Sequence, residues 1–388
     1  MNVAVPKPSR AGERRVAVIP ETCARLQKVG LTCIIEAGAG ASAGFPDAEY
    51  EQSGAEIVND AGALYDRADA VVLVRTPTTK EIERLRSGTM LFCTLGALTN
   101  HDAVRRVAER GVTALALELM PRISRAQKMD VLSSMSTAAG YKAVLLAASE
   151  LDKMFPMLMT AAGTLRPARV LVLGAGVAGL QAIATAKRLG AVVEAFDVRP
   201  AVKEQVESLG AKFVEVEAPA EDAEDAGGYA KEMSEAYKAK QAELIAARAK
   251  EADVVISTAL IPGKKAPILL TTDTIEHMRR GSVVVDLAAE GGGNCELTRA
   301  GETVDHRGVL VIGPENLAAT VPFHASQMYS RNVGALMLDM AKEGKLELNL
   351  EDECVRGTLV THNGEIVHER VRQMMGIEPL ATTQGSSA

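Results

Sequence analysis

Short apolar, β-branched runs recur along the chain, with segments of helical periodicity between them. In the first third, Val3–Val5, Thr32–Glu36, Asp69–Val74, Met90–Leu95 and Val112–Leu117 read as buried strands. Glu21–Val29, opened by Pro20 and stopped at Gly30, and His101–Arg110 read as helices between them. Such alternation defines a parallel sheet covered by helices. A second series starts at Val170–Leu173 and runs through Val192–Phe196, Phe213–Val216, Val254–Thr258, Val283–Leu287 and Val309–Gly313. Two long helical stretches, Ser136–Met154 and Ala325–Lys342, lead out of the first series and back to it. Beyond them, Thr358–Val360 and Ile366–Val367 form a hairpin around Asn363-Gly364. The pattern therefore predicts an α/β chain of two doubly wound parallel-sheet domains, joined by long helices around a cleft. The N-terminal domain is discontinuous, 1–134 with 325–388, and a Rossmann domain occupies 135–324. The final Ala381–Ala388, small and polar, reads as a disordered tail.

Composition narrows the function classes. At 388 residues the chain exceeds one ordinary core. Aromatics are 3% and Trp is absent, so the cores are built of Val, Leu, Ile, Ala and Met, as suits sheets covered on both faces. A net charge of −7 argues against nucleic acid as a partner. Cys23, Cys33, Cys93, Cys295 and Cys354 are scattered without a CxxC pair, as in a reduced cytoplasmic protein with neither disulfides nor zinc. The N-terminus carries no apolar signal region. The most apolar runs, Ala143–Ala148 and Val170–Leu173, fall short of the ~20 residues a bilayer requires, so no membrane insertion is expected.

The most specific chemistry lies at Gly174-Ala175-Gly176-Val177-Ala178-Gly179, a GxGxxG between a buried strand and the helical run Leu180–Leu189. These glycines permit a tight turn, approach of backbone to a pyrophosphate, and close strand–helix packing. The next strand ends in Asp197, where an acid accepts from the adenosine ribose and repels a 2′-phosphate, so NAD(H) is expected over NADP(H). Arg199, two residues on, works against that preference. Thr258-Ala259-Leu260 ends another strand, at the edge where ligands of such sheets sit, or is an ordinary strand-to-loop junction. Gly228-Tyr229 follows an acidic, small-residue run and is either an aromatic lid over the cofactor or an exposed tyrosine. Met120–Ser134 is the other polar concentration. It is either a nicotinamide-orienting loop or a linker in which Asp130 or Ser133 caps the next helix. There is no metal motif, and the six histidines are dispersed, leaving no evident general acid–base.

These strings carry a family resemblance over nearly the whole chain. Glu118–Gln127, Met159–Thr164, Gly174–Gly190, Thr258–Gly263 and Asp286–Asn294 resemble the NAD(H)-binding component of proton-translocating nicotinamide nucleotide transhydrogenase, whose wider family includes alanine dehydrogenase. The resemblance implies a homodimer, cytoplasmic and peripheral to the inner membrane through partner subunits. It further implies hydride transfer from NADH to NADP⁺ on a separate NADP(H)-binding component, coupled to proton movement by a membrane-spanning component, without a metal. It assigns catalysis to Arg122, Gln127, Asp130 and Ser133. Cofactor contacts fall on Arg122, Gln127 and Asp130 of these, with Ile123, Ser124, Lys128 and Met129, then on Gly174, Ala175, Gly176, Val177 and Gly179. The remainder fall on Asp197, Val198, Arg199, Gly228, Tyr229, Gln241, Thr258, Ala259 and Leu260. Relative to alanine dehydrogenase, Arg75 stands for the substrate-binding Lys, Thr94 for the catalytic His and Glu290 for the active-site Asp. Loss of the imidazole removes the base that imine chemistry needs, whereas hydride exchange between two nicotinamides needs none.

Overall fold

The structure, a computed structural model, describes residues 1–216, 234–261 and 263–379. The chain divides into two compact units, Met1–Met135 with Ala319–Ala388, and Ser136–Ala318. Gly228, Tyr229 and the C-terminal tail from 380 lie outside the described residues.

In the first unit an eight-stranded sheet runs in the order Glu365–Ile366, Leu359–His362, Thr113–Ala116, Met90–Cys93, Ala70–Val72, Asn2–Val5, Thr32–Glu36, Glu56–Val58. The six strands from Thr113–Ala116 onward are parallel, and the two strands nearest the C-terminus add antiparallel at one edge. Successive side chains enter opposite cores: Val3, Val5, Cys33 and Ile35 pack on one face, Ala4, Ile34, Val71 and Leu91 on the other. Burial on both faces explains why these strands read as unbroken apolar runs.

The second unit holds a seven-stranded sheet, Lys212–Val214, Val192–Phe196, Arg169–Leu173, Val254–Ser257, Val283–Asp286, Val309–Ile312, Thr303–His306. All neighbours are parallel except the last pair. The order reverses direction at Arg169–Leu173, the switch point at which doubly wound sheets open a crevice for ligands.

Three features depart from the sequence reading. The long helix spans Val131–Glu150 and starts ahead of Ser136, because Asp130 caps it. Among the described residues it is the one helix long and apolar enough to cross a membrane by length and composition, which the shorter apolar runs do not indicate. Yet Val131 lies in the first unit's core and Ala143, Val144 and Ala147 in the second's. Second, Leu158–Thr160 and Gly163–Leu165 form a separate two-stranded hairpin, mostly exposed. Third, Thr303–His306 is an antiparallel edge strand whose alternate residues face solvent. Elements this short, with half their positions polar, give little periodic signal.

Candidate functional site

Gly174 follows the strand Arg169–Leu173 at φ +96, a backbone region open to glycine and strained for other residues. Its N–H donates to the Phe196 carbonyl at 2.8 Å, stitching the turn to the neighbouring strand. The helix Val177–Arg188 starts at once, with Gly176 as its cap and, among the described residues, no side chain satisfying the first N–H groups. A Cβ at Gly176 would meet nothing within 4 Å, so space is open over the turn. A Cβ at Gly179 would lie 1.8 Å from the Gly174 carbonyl oxygen, and only a bare Cα lets helix and turn approach. The free N–H groups, the open space above them and the positive end of the helix together suit a pyrophosphate.

Asp197 closes the side of this turn. Its Oδ2 accepts from Ala175 N–H at 2.7 Å and from Arg199 Nη2 at 2.8 Å, and its Oδ1 accepts from Arg199 N–H and Nε, both at 2.9 Å. Val198, between the pair, packs partly buried against the core below. Tyr237, on the helix Glu235–Ala249, has its phenol pKa raised by partial burial and by the charge of Asp197. Gln241 lies one turn further along that helix, on the same face as Tyr237 and half-buried. Sequence reasoning missed Tyr237, although its four-residue spacing from Gln241 was a usable signal.

Thr258 and Ala259 complete the floor. The Thr258 hydroxyl donates to the Gly174 carbonyl at 3.0 Å, linking the end of Val254–Ser257 to the glycine turn. Ala259 is gripped by Asn294: its N–H donates to Oδ1 at 3.0 Å, and its carbonyl accepts from Nδ2 at 2.9 Å. Leu260, next in line, is exposed. Asn294 is held by Asp286, a fully buried carboxylate. Asp286 accepts from Ser257 Oγ, Ala288 N–H, Asn294 N–H, Cys295 N–H and Thr298 Oγ1 at 2.6 to 3.2 Å. Asp286 and Asn294 stood out in the sequence only as matching letters. Their supporting task depends on contacts across a parallel sheet, which no local spacing reveals.

In the first unit the polar loop forms a 3₁₀ segment, Ser124–Met129, followed by the Asp130 cap. Asp130 accepts from Ser133 N–H at 2.9 Å and Ser133 Oγ at 2.5 Å, so the capping alternative for this pair is realised. Arg122, Ser124, Gln127 and Lys128 are exposed, and Ile123 is half-buried. Lys128 pairs with Asp339 at 3.1 Å, and Arg125 with Asp352 at 2.5 Å, fixing the loop to its own unit. The Met129 side chain lies in the hydrophobic core, so its backbone is what is left to meet a ligand.

The positions contrasted with alanine dehydrogenase are also committed internally. Thr94 Oγ1 donates to the Val74 carbonyl at 2.6 Å, and Glu290 Oε1 accepts from Asn316 N–H at 2.8 Å. Arg75 lines a small cavity of about 30 Å³ beside Arg10, Glu13 and Glu81. Next to it, Arg15 and Glu13 form a buried pair at 2.6 Å.

A glycine turn opening a helix beside a strand-end acid, at the switch point of a parallel sheet, defines a Rossmann-type nucleotide-binding protein of the α/β class. The particular family follows from comparison with known proteins. Residues 4–139 match the alanine dehydrogenase/PNT N-terminal domain and residues 143–369 its C-terminal domain, and the chain belongs to the alanine dehydrogenase/PNT family. It is 50% identical to an NAD(P) transhydrogenase alpha-subunit polypeptide of Rhodospirillum rubrum over 95% of this chain and 98% of that one. It is 30% identical to alanine dehydrogenase of Mycobacterium tuberculosis, over 97% of each. The crystal structure of transhydrogenase from Sinorhizobium meliloti superposes with a TM-score of 0.83 at 43% identity, covering 95% of this chain and 99% of that one.

Proposed function

We propose that this chain is the NAD(H)-binding subunit of a proton-translocating NAD(P) transhydrogenase of the Re/Si-specific type. It presents NADH for direct hydride transfer to NADP⁺ on a separate NADP(H)-binding component, and a membrane-spanning component couples the step to proton movement. The observation that carries the reading is the glycine turn, with free helix N–H groups, open space over Gly176 and Asp197 at its flank. Those residues fit a dinucleotide: Gly174–Val177 for the pyrophosphate, Asp197 for the adenosine ribose, and Thr258–Leu260 for the far half. The bound cofactor supplies the hydride. The protein's task is to hold and orient the nicotinamide, which we assign to Arg122, Gln127, Asp130 and Ser133, so that catalysis is by proximity and alignment.

Thr94 favours this reading over an amino-acid dehydrogenase, because its hydroxyl is spent on the Val74 carbonyl and offers no proton relay. The identity to a transhydrogenase subunit, 50% against 30% for an alanine dehydrogenase, points the same way. The subunit is proposed as a cytoplasmic homodimer, peripheral to the inner membrane. The exposed hairpin is suited to a dimer contact: Met157 and Met159 are 58% and 81% exposed, and Met154 and Leu165 flank them.

The test mixes the purified chain with an NADP(H)-binding component and follows reduction of an NADP⁺ analogue by NADH. Transfer in the mixture and none in either protein alone is expected. No transfer at any ratio would sink the proposal, and alanine-dependent NAD⁺ reduction by the chain alone would replace it with the dehydrogenase reading.

A further inference from the structure

A carboxylate offers about four acceptor positions on its two oxygens. On Asp197 all four are taken, one by Ala175 N–H and three by Arg199 through its N–H, Nε and Nη2. The pair is well enclosed, with side chains 6% and 15% exposed. A ribose hydroxyl therefore reaches Asp197 only by displacing one of these donors. The Ala175 bond belongs to the turn itself, so the guanidinium is the group that must give way. A planar guanidinium turned off its carboxylate at the ribose position is the donor set that binds a phosphate bidentately.

We infer that Asp197 and Arg199 act as one selectivity unit, in which Arg199 is a latent 2′-phosphate ligand that Asp197 holds out of use. With the acid present, an incoming 2′-phosphate meets a carboxylate and an arginine already neutralised by it. With the acid's charge removed, the same arginine faces the phosphate. Preference for NAD(H) thus rests on restraint of a cation already in the site as well as on repulsion by the acid. This rests on the proposed NAD(H) reading of the glycine turn.

The experiment measures Kd for NADH and for NADPH on the full chain, using the cofactor's own fluorescence against a protein background free of Trp. Asp197→Asn keeps an acceptor for Ala175 N–H but drops the charge. It should tighten NADPH binding about tenfold to a hundredfold while weakening NADH, since a hydrogen bond to a charged group contributes that much. Asp197→Ser, smaller and uncharged, should do the same and covers the case in which the amide packs poorly. In Asp197→Asn/Arg199→Ala the gain for NADPH should vanish. If the double variant keeps the gain, relief of repulsion explains it and the inference is overturned. If neither single variant gains NADPH affinity while the parent chain binds NADH, the inference alone fails. If the parent binds no NADH, the reading of the turn fails and the inference with it.

Discussion

Gly140, on the long helix, would place a Cβ 2.1 Å from the carbonyl oxygen of Ala178 on the nucleotide-site helix. That backbone-to-backbone approach has no side chain able to yield, so Gly140→Ala must push the two helices apart. We expect a loss of about 1–3 kcal/mol in chemical denaturation, as for other overpacked cores, together with weaker NADH binding. Unchanged stability would mean the helices slide without cost. The glycines of the turn announced themselves in the sequence by their spacing, whereas Gly140 did not, because a lone glycine in an Ala-rich helix has no partner visible in one dimension. The same holds for Asp286. Its conversion to Asn puts an amide donor where five donors converge, leaving at least one of them unpaired in a dry interior. The expected cost is about 3 kcal/mol or more in urea unfolding. A stability loss under about 1 kcal/mol would show that these bonds are not what orders the loop.

At the scale of elements, the central strands and most flanking helices were legible because full burial writes an apolar run and helix ends carry Pro, Gly or Asn. The hairpin around Asn363-Gly364 was also legible; both residues have positive φ, 50 and 83, as that turn requires. What escaped were caps outside the polar loop. His368 is one: its Nδ1 accepts from Val371 N–H at the start of the helix Glu369–Met374, while Nε2 bonds the Gly357 carbonyl at 3.1 Å. That arrangement requires a neutral ring, with the proton on Nε2. Burial lowers the pKa of His368 in the folded state, whereas the unfolded ring titrates near ~6.5. Below that value the unfolded chain takes up a proton the folded chain resists, so stability falls as pH drops from about 6.5 toward the lowered folded value. Thermal melts from about pH 7.5 to 5.5 should show this decline, and His368→Asn should flatten it. An equally steep decline in the variant would assign it elsewhere.

At the scale of the whole molecule, the proposed homodimer gives the hairpin Leu158–Leu165 a purpose, since two short strands standing alone are marginal in water. Met159→Asp puts a charge at its most exposed apolar position. Light scattering should then report a shift from dimer toward monomer at micromolar concentration, with NADH binding by the glycine turn retained. A dimer that survives the charge would move the interface away from the hairpin. The alternation of strands and helices revealed both sheets, because it is a property of long stretches. The antiparallel edge strand Thr303–His306 did not emerge from it, because four partly exposed residues barely differ from loop.

The first sheet is completed by residues separated from its other strands by the entire second unit: Leu359 pairs with Leu115, and Thr361 with Ala114. A chain emerging from the ribosome makes its strands in order, so Thr113–Ala116 must wait with an open edge while Ser136–Ala318, contiguous and self-contained, is synthesised and can fold. Unpaired apolar edges recruit other chains. Nascent chains stalled before Leu359 should therefore be the ones that chaperones hold or that aggregate. The order of manufacture thus places the risk at the last strands made, far along the chain from the glycine turn where the chemistry is proposed to lie.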